Sequence, residues 1–244
     1  MFLKVATLIL LRHGQSTWNL ENRFTGWVDV DLTDQGIREA VVAGQLLSQA
    51  GLVPTIAFTS VLKRAVKTLD LALYEMDLSW IPVKKSWRLN ERHYGSLQGL
   101  DKAQTALRYG DEQVKLWRRS FDTPPPPLQS QDMAELLKDL RYRKVARELL
   151  PYTECLKDVL NRMMPFWYDE LVPRLINAET VLVSAHGNSL RALIKHLENI
   201  PDDKIVQYEV PNGEPIVYQL DKDLAVQSKR IFSLQLSKEQ TSIS

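Results

Sequence analysis

The chain has 244 residues, of which 44% are hydrophobic and 25% are charged, and its formal net charge is +1. This balance is ordinary for a globular protein that can bury one substantial core, and it argues against a dedicated nucleic-acid-binding or membrane-surface protein. The single cysteine, Cys155, cannot form a disulfide within the chain, and no stretch approaches the ~20 apolar residues that span a bilayer, so we expect a cytoplasmic protein.

Short apolar runs alternate along most of the chain with stretches whose apolar residues recur every three or four positions, which indicates strands and helices. Such alternation predicts an α/β fold: one three-layer domain spanning 1–244, with a mostly parallel central sheet and helices on both faces. In chain order the predicted elements are a strand at 5–11, a helix between an N-cap at Thr33 and a stop at Gly51, a strand at 55–60, a helix at 62–73, a strand at 82–86, a helix at 156–167, and strands at 180–185 and 216–220.

Residues 89–151 interrupt the alternation. The segment is polar, rich in arginine and tyrosine, and contains four prolines at 124–127, which can neither extend a helix nor lie inside a sheet. Its aromatic residues Tyr109, Trp117 and Phe121 favour a packed lid over a disordered loop. The regular pattern fades beyond residue 222, so we expect a mobile tail at 223–244.

Two histidines occupy matching positions directly after predicted strands. His13 follows the strand at 5–11, His186 follows the strand at 180–185, and each precedes a glycine. Since the carboxyl ends of parallel strands meet at one sheet edge, where ligands bind, we expect both histidines in one crevice. The glycines would allow the backbone to approach a ligand closely, and the helix after His186 would offer free N–H groups to an anion. A purely structural role is the alternative for either histidine alone, and the pairing disfavours it.

Two arginines can reach the same edge of the sheet. Arg12 ends the first predicted strand, and Arg64 follows the strand at 55–60. Guanidinium groups bind phosphate through paired, charge-assisted hydrogen bonds, whereas a solvated helix charge would be the alternative for Arg64 alone. Together with the two histidines, these arginines predict a phosphate pocket.

The pocket suggests covalent phosphoryl transfer. A neutral imidazole at His13 is a competent nucleophile, and neighbouring guanidinium groups would lower its pKa and keep it neutral. Glu91, in the stretch 87–100, is the candidate proton donor because a nearby phosphate favours a protonated carboxyl group; a surface ion pair is its alternative. His196 lies inside a helical pattern and is interpreted as an ordinary, partly exposed residue. The sequence has no metal-ligand spacing and no nucleotide-binding glycine loop, so no metal is expected.

With these residues assembled, the chain resembles the cofactor-dependent phosphoglycerate mutases of the histidine phosphatase superfamily over about residues 5–222. The tripeptide RHG is typical of the whole superfamily, whereas NERHYG together with WRRSFDTPPPP is much more specific, because other branches are not expected to share that lid. The stretches that carry the resemblance are RHGQSTWN (12–19), FTGW (24–27), TSVLKRAVKT (59–68), LNERHYGSLQGL (89–100), WRRSFDTPPPP (117–127), LPYTECLKD (150–158) and AHGNSLRALIKHLE (185–198).

The resemblance implies an isomerase of glycolysis and gluconeogenesis that interconverts 3-phosphoglycerate and 2-phosphoglycerate. It implies a phosphohistidine at His13 primed by 2,3-bisphosphoglycerate, Glu91 as proton donor and acceptor, and His186 as a stabiliser of the phosphoryl group in flight. The implied phosphate pocket is completed by Arg12, Asn19, Arg64 and Gly187. The rest of the substrate would be held by Thr25, Gly26, Tyr94, Lys102, Arg118, Arg119 and Asn188. A homodimer is also implied.

Rival functions remain open at this point. A phosphatase, or a bisphosphoglycerate synthase and phosphatase, could use the same fold, but a lid that excludes water favours transfer over hydrolysis. A catalytically silent phosphate-binding protein is a remote alternative, which the joint presence of His13, Glu91 and His186 disfavours. The sequence departs from the family pattern at Asn212, where threonine is usual, and at 128–142 in the lid.

Overall fold

In the computed structural model of the protein, which describes residues 5–233, six strands form one sheet in the order β3-β2-β4-β1-β5-β6. Strands β1 to β4 pair in parallel, β5 runs antiparallel to β1, and β6 runs antiparallel to β5. The strands are β1 (Ala6–Arg12), β2 (Ile56–Thr59), β3 (Val83–Lys85), β4 (Thr180–Ala185), β5 (Pro215–Leu220) and β6 (Val226–Ile231). The predicted mostly parallel sheet is therefore confirmed.

Helices cover both faces of the sheet. The α-helices are α1 (Thr17–Leu20), α2 (Asp34–Gln49), α3 (Lys63–Glu75), α4 (Lys102–Tyr109), α5 (Asp111–Arg119), α6 (Ser130–Lys138), α7 (Leu156–Phe166), α8 (Val172–Ile176) and α9 (Gly187–Leu197). A π-helical turn, Trp167–Leu171, joins α7 to α8. Successive side chains of a strand point to opposite faces: Leu8 and Leu10 pack in the core beneath α7 and α9, whereas Ile9 and Leu11 pack beneath α2 and α3. The three-layer prediction is confirmed.

Local sequence signals account for both ends of α2. The Thr33 side chain accepts a hydrogen bond from the Gly36 amide at 3.1 Å, as an N-cap of α2 should. At the other end of α2, Gly51 has φ +67°, a left-handed conformation that suits glycine and stops the helix.

The segment 223–233 corrects the prediction of a tail that begins at residue 223. It contains β6, which lies at the sheet edge and whose side chains are almost all exposed. Such a strand has no buried, apolar alternation for a sequence pattern to reveal. The rest of the predicted tail, 234–244, lies outside the described residues.

The insertion at 89–151 is more regular than its sequence indicates. It contains α4, α5 and α6, with an extended proline segment at 123–129 between α5 and α6. These helices escaped prediction because each buries little: α5 buries only Val114. The predicted packing is present, since the Tyr109 and Trp117 rings lie 5.2 Å apart and Phe121 packs against the main core. Between residues 5 and 233, no helix has the length and apolar character needed to cross a membrane.

Candidate active site

A cavity of about 220 Å³ opens at the carboxyl ends of β1 and β4, beneath the insertion. Its size suits a small molecule, since sites for drug-sized ligands span ~300–1,000 Å³. Every residue that the sequence analysis assigns to the site lines this cavity, with the exception of His186. The lining residues from that prediction are Arg12, His13, Asn19, Thr25, Gly26, Arg64, Glu91, Tyr94, Lys102, Arg118, Arg119, Gly187 and Asn188.

His13 presents one imidazole nitrogen to the cavity. Its Nδ1 lies 2.7 Å from the Gly14 carbonyl oxygen, which can only accept a hydrogen bond. Nδ1 therefore carries the proton, and Nε2 keeps the lone pair. Burial, reinforced by the charges of Arg64 and Arg12, holds the pKa of His13 well below its usual range. His13 is consequently a neutral imidazole whose free lone pair lies on Nε2, a choice of nitrogen that the sequence leaves open.

His186 packs edge-on against His13 and is not among the residues that line the cavity. The ring is fully buried, and its centroid is 5.0 Å from that of His13. Its Nε2 is 2.8 Å from the Ser60 hydroxyl, while its Nδ1 has no hydrogen-bond partner among the described residues. Burial, together with the positive charge of Arg64, places the pKa of His186 well below its usual range.

The two glycines that follow these histidines serve different contacts. A Cβ at Gly14 would lie 2.1 Å from the Gly36 carbonyl oxygen, so Gly14 is needed for packing against α2. Packing against α2 is therefore sufficient reason for glycine at this position, and the expected approach of a ligand to Gly14 stays a prediction. A Cβ at Gly187 would instead lie 3.3 Å from the Arg12 guanidinium carbon, so glycine at this position lets the guanidinium lie close to the start of α9.

Arg12 and Arg64 are fixed by main-chain carbonyls and not by carboxylates. Arg12 donates to the Val210 carbonyl at 2.6 Å, and Arg64 donates to the carbonyls of Gly26 and Val28 at 2.8 and 2.9 Å. The Nε of each arginine is buried and, within residues 5–233, has no hydrogen-bond partner. Burial lowers the pKa of Arg64 to about 10, against the opposing effect of Glu91. Both guanidinium groups are therefore pre-positioned, and an anion would satisfy them.

Glu91 is held from both ends. Its carboxylate accepts hydrogen bonds from the main-chain N–H of Arg92 at 2.7 Å and of Asn188 at 3.1 Å, so the carboxylate meets the start of α9 as an anion would. Its own carbonyl accepts from Trp27 Nε1 at 2.6 Å and from Arg162 at 3.0 Å. The Glu91 carboxyl group is consequently fixed at the cavity wall.

Two buried arginines hold α5, which carries Arg118 and Arg119, at the site. Arg92 donates to the Arg118 carbonyl at 2.7 Å, and Arg191 donates to the Arg119 carbonyl at 3.2 Å. Cations at the carboxyl end of a helix also complement its dipole. The insertion is thereby fastened to α9, which carries Arg191.

Several cavity residues escaped the sequence analysis. They are Arg23, Phe24, Arg191, Glu209 and Val210. Arg191 could have been found, because it lies three positions after Asn188 on the same helix and donates to the Asn188 side chain at 2.8 Å. Glu209 has no such signal, since it forms an ion pair with Arg119, which is distant in sequence. Within the described part of the chain, no group of three or more His, Cys, Asp or Glu side chains is placed to hold a metal ion.

The buried histidines predict that stability falls in mild acid. Burial lowers the pKa of His93 to about 3, and the pKa values of His13 and His186 are lower than usual for the same leading reason. Their stabilising effect is complete above the ordinary value near 6.5 and is lost as the pH falls, because the unfolded chain then binds more protons. Each histidine contributes a slope of up to about 1.4 kcal/mol per pH unit below that value.

Urea unfolding at several pH values between about 7.5 and 5 measures this slope. We expect His93→Gln to reduce the slope by roughly one quarter, since burial lowers the pKa of all four histidines, including His196. A free energy of unfolding that stays constant across this range would contradict the prediction.

Comparisons with known proteins agree with this geometry. A family model described as the histidine phosphatase superfamily (branch 1) matches residues 8–229. A 2,3-bisphosphoglycerate-dependent phosphoglycerate mutase from Streptomyces avermitilis is 58% identical over 216 residues, which are 88% of this chain and 85% of that protein. Among solved structures, a mycobacterial glucosyl-3-phosphoglycerate phosphatase matches with a TM-score of 0.70 and 23% identity, over 93% of this chain and 97% of its own. A mycobacterial hydrolase matches with a TM-score of 0.71 and 23% identity, over 94% and 97%. These two structures support the fold alone.

Proposed function

Because the chain belongs to the histidine phosphatase superfamily, we propose that it is a 2,3-bisphosphoglycerate-dependent phosphoglycerate mutase, an isomerase that interconverts 3-phosphoglycerate and 2-phosphoglycerate. One observation carries the proposal: a neutral His13 with a free Nε2 faces a cavity lined by Arg12, Arg64 and further cations. The identity to a mutase favours transfer between phosphoglycerates over simple hydrolysis.

The lining fits 2,3-bisphosphoglycerate, which when bound supplies the phosphoryl group that primes His13. The ligand has two phosphates and a carboxylate, and the cavity offers a matching excess of cationic side chains. The Nε atoms of Arg12 and Arg64 are buried and have no hydrogen-bond partner among the described residues, so one phosphate would bind beside these two guanidinium groups. Lys102, Arg118 and Arg119 would hold the remaining anionic groups.

In the proposed reaction, His13 exchanges the phosphoryl group with the substrate. Nε2 attacks phosphorus, an N–P bond forms, and the P–O bond to the donor oxygen breaks. In the reverse direction a substrate hydroxyl attacks the same phosphorus and the N–P bond breaks. Arg12 and Arg64 stabilise the charge on the equatorial oxygens during each transfer, and His186 packs edge-on against the His13 ring.

Glu91 handles the proton in both directions. It accepts the proton of the attacking hydroxyl and returns a proton to the departing oxygen, so that no free alkoxide forms. Its two main-chain hydrogen bonds hold the carboxyl group in place for this exchange. The insertion, fastened through Arg92 and Arg191, covers the site and limits hydrolysis of the phosphohistidine.

The test is the conversion of 3-phosphoglycerate to 2-phosphoglycerate in EDTA, with and without trace 2,3-bisphosphoglycerate. We expect isomerisation that survives chelation and rises with the bisphosphate. Release of inorganic phosphate without isomerisation would replace the mutase with a phosphatase, and no turnover of either kind would favour a silent phosphate-binding protein. The homodimer implied by the resemblance and the cytoplasmic location expected from the sequence stay predictions.

A further inference from the structure

Glu209 places a carboxylate at a cavity whose other charged lining residues are mostly cationic. The cationic lining residues are Arg12, Arg23, Arg64, Lys102, Arg118, Arg119 and Arg191. Among the described lining residues only Glu91 and Glu209 carry carboxylates, and Glu91 is engaged by two main-chain N–H groups. The Glu209 carboxylate instead forms an ion pair with the side chain of Arg119.

The loop that carries Glu209, residues 208–214, is fastened to the end of β1. Asn212 donates from its side chain to the His13 carbonyl at 2.8 Å, and the Gly213 amide donates to the Arg12 carbonyl at 3.0 Å. Arg12 in turn donates to the Val210 carbonyl at 2.6 Å. These bonds hold the main chain directly after Glu209 against the end of β1, and the Glu209 side chain lines the cavity.

The ion pair can open without disturbing this framework. The Glu209 side chain is 70% exposed, while that of Arg119 is only 29% exposed and stays at the cavity wall. An exposed ion pair contributes little stability, so an incoming anion can displace the carboxylate from the guanidinium. The negative field of Glu209 also extends to Arg12: burial lowers the pKa of Arg12, and Glu91, Tyr94 and Glu209 oppose that shift.

We propose that Glu209 is an internal counterion that competes with bound phosphoglycerates for Arg119 and thereby weakens the site's preference for the bisphosphorylated ligand. The inference rests on the proposed function, because that function supplies the anionic ligands. A second phosphate adds about −1.5 to −2 charge, so repulsion from Glu209 acts more strongly on 2,3-bisphosphoglycerate than on 3-phosphoglycerate. Glu209 therefore determines specificity, and it limits the time for which the bisphosphate blocks the site.

Calorimetric dissociation constants for both ligands, measured on wild type and Glu209→Gln, test the inference without relying on turnover. Loss of the Glu209 charge should lower the dissociation constant of 2,3-bisphosphoglycerate about fivefold and that of 3-phosphoglycerate about twofold. Glu209→Asp, which keeps the charge, should stay close to wild type. At about 1 M salt, where screening is strong, the difference between the variants should vanish.

Glu135→Gln is the matched control, because the Glu135 side chain is 68% exposed, pairs with Lys138 and does not line the cavity. Two results would overturn this inference and leave the proposed function intact, provided that wild type is active. One is that Glu135→Gln binds the ligands as much more tightly as Glu209→Gln does. The other is that the dissociation constants of Glu209→Gln equal those of wild type. A wild type that neither binds phosphoglycerates nor isomerises them would overturn the inference together with the proposed function.

Discussion

Replacement of His13 by alanine is expected to reduce isomerisation by about 10⁴-fold or more, because no other described side chain at the cavity offers a neutral imidazole nitrogen. The variant should also fail to take up label from 2,3-bisphosphoglycerate carrying radioactive phosphate. Wild type should retain the label in base and lose it in acid, as an N–P bond does. Rate and label together distinguish the loss of the nucleophile from the loss of substrate binding.

His196→Ala is the matched control for this experiment. His196 lies partly buried on α9, stacks edge-on against Trp167 at 5.3 Å and does not line the cavity. We expect this variant to keep its phosphohistidine and nearly all of its activity. If His13→Ala retained either label or substantial turnover, His13 would not be the nucleophile.

The fold was largely predictable because four of its six strands, β1, β2, β4 and β5, are buried. β1 and β4 have six and five buried residues, respectively, and stand out as apolar runs that end at Arg12 and at His186. β6 and α5 were missed for the opposite reason, since nearly all of their side chains face solvent or the cavity and neither element needs an apolar stripe. A sequence pattern records what an element buries, so it is weakest at sheet edges and in lids.

The candidate site also contains residues that the sequence predicts and contacts that it does not. Residues within recognisable motifs, such as His13, Glu91 and Arg64, could be named in advance because their chemistry and position after a strand agree. Contacts between segments that are distant in sequence could not be predicted, and the ion pair of Arg119 with Glu209 is the clearest case. The sequence also could not predict which His13 nitrogen keeps the free lone pair, because that depends on the Gly14 carbonyl oxygen, which lies 2.7 Å from Nδ1.

Glu91→Gln is expected to lower kcat by about 10²- to 10⁴-fold while leaving the fold and substrate binding nearly intact. A glutamine oxygen can still accept from the main-chain N–H groups of Arg92 and Asn188, so the cavity wall should keep its shape. What the variant loses is the group that gives a proton to the departing oxygen and takes one from the attacking hydroxyl. The measurement is kcat and KM for 3-phosphoglycerate, with circular dichroism to check the fold.

Two comparisons separate proton transfer by Glu91 from a merely structural role. Glu39→Gln is the matched variant, since Glu39 is also a buried carboxylate that accepts a main-chain N–H, from Gln15 at 2.7 Å, but it lies on α2 away from the cavity lining. Phosphorylation of His13 by an aryl phosphate ester, whose leaving group departs without a proton, should survive in Glu91→Gln far better than phosphorylation by 2,3-bisphosphoglycerate. Equal losses with both donors would mean that Glu91 positions the site and does not move the proton, because only proton transfer depends on how basic the departing oxygen is.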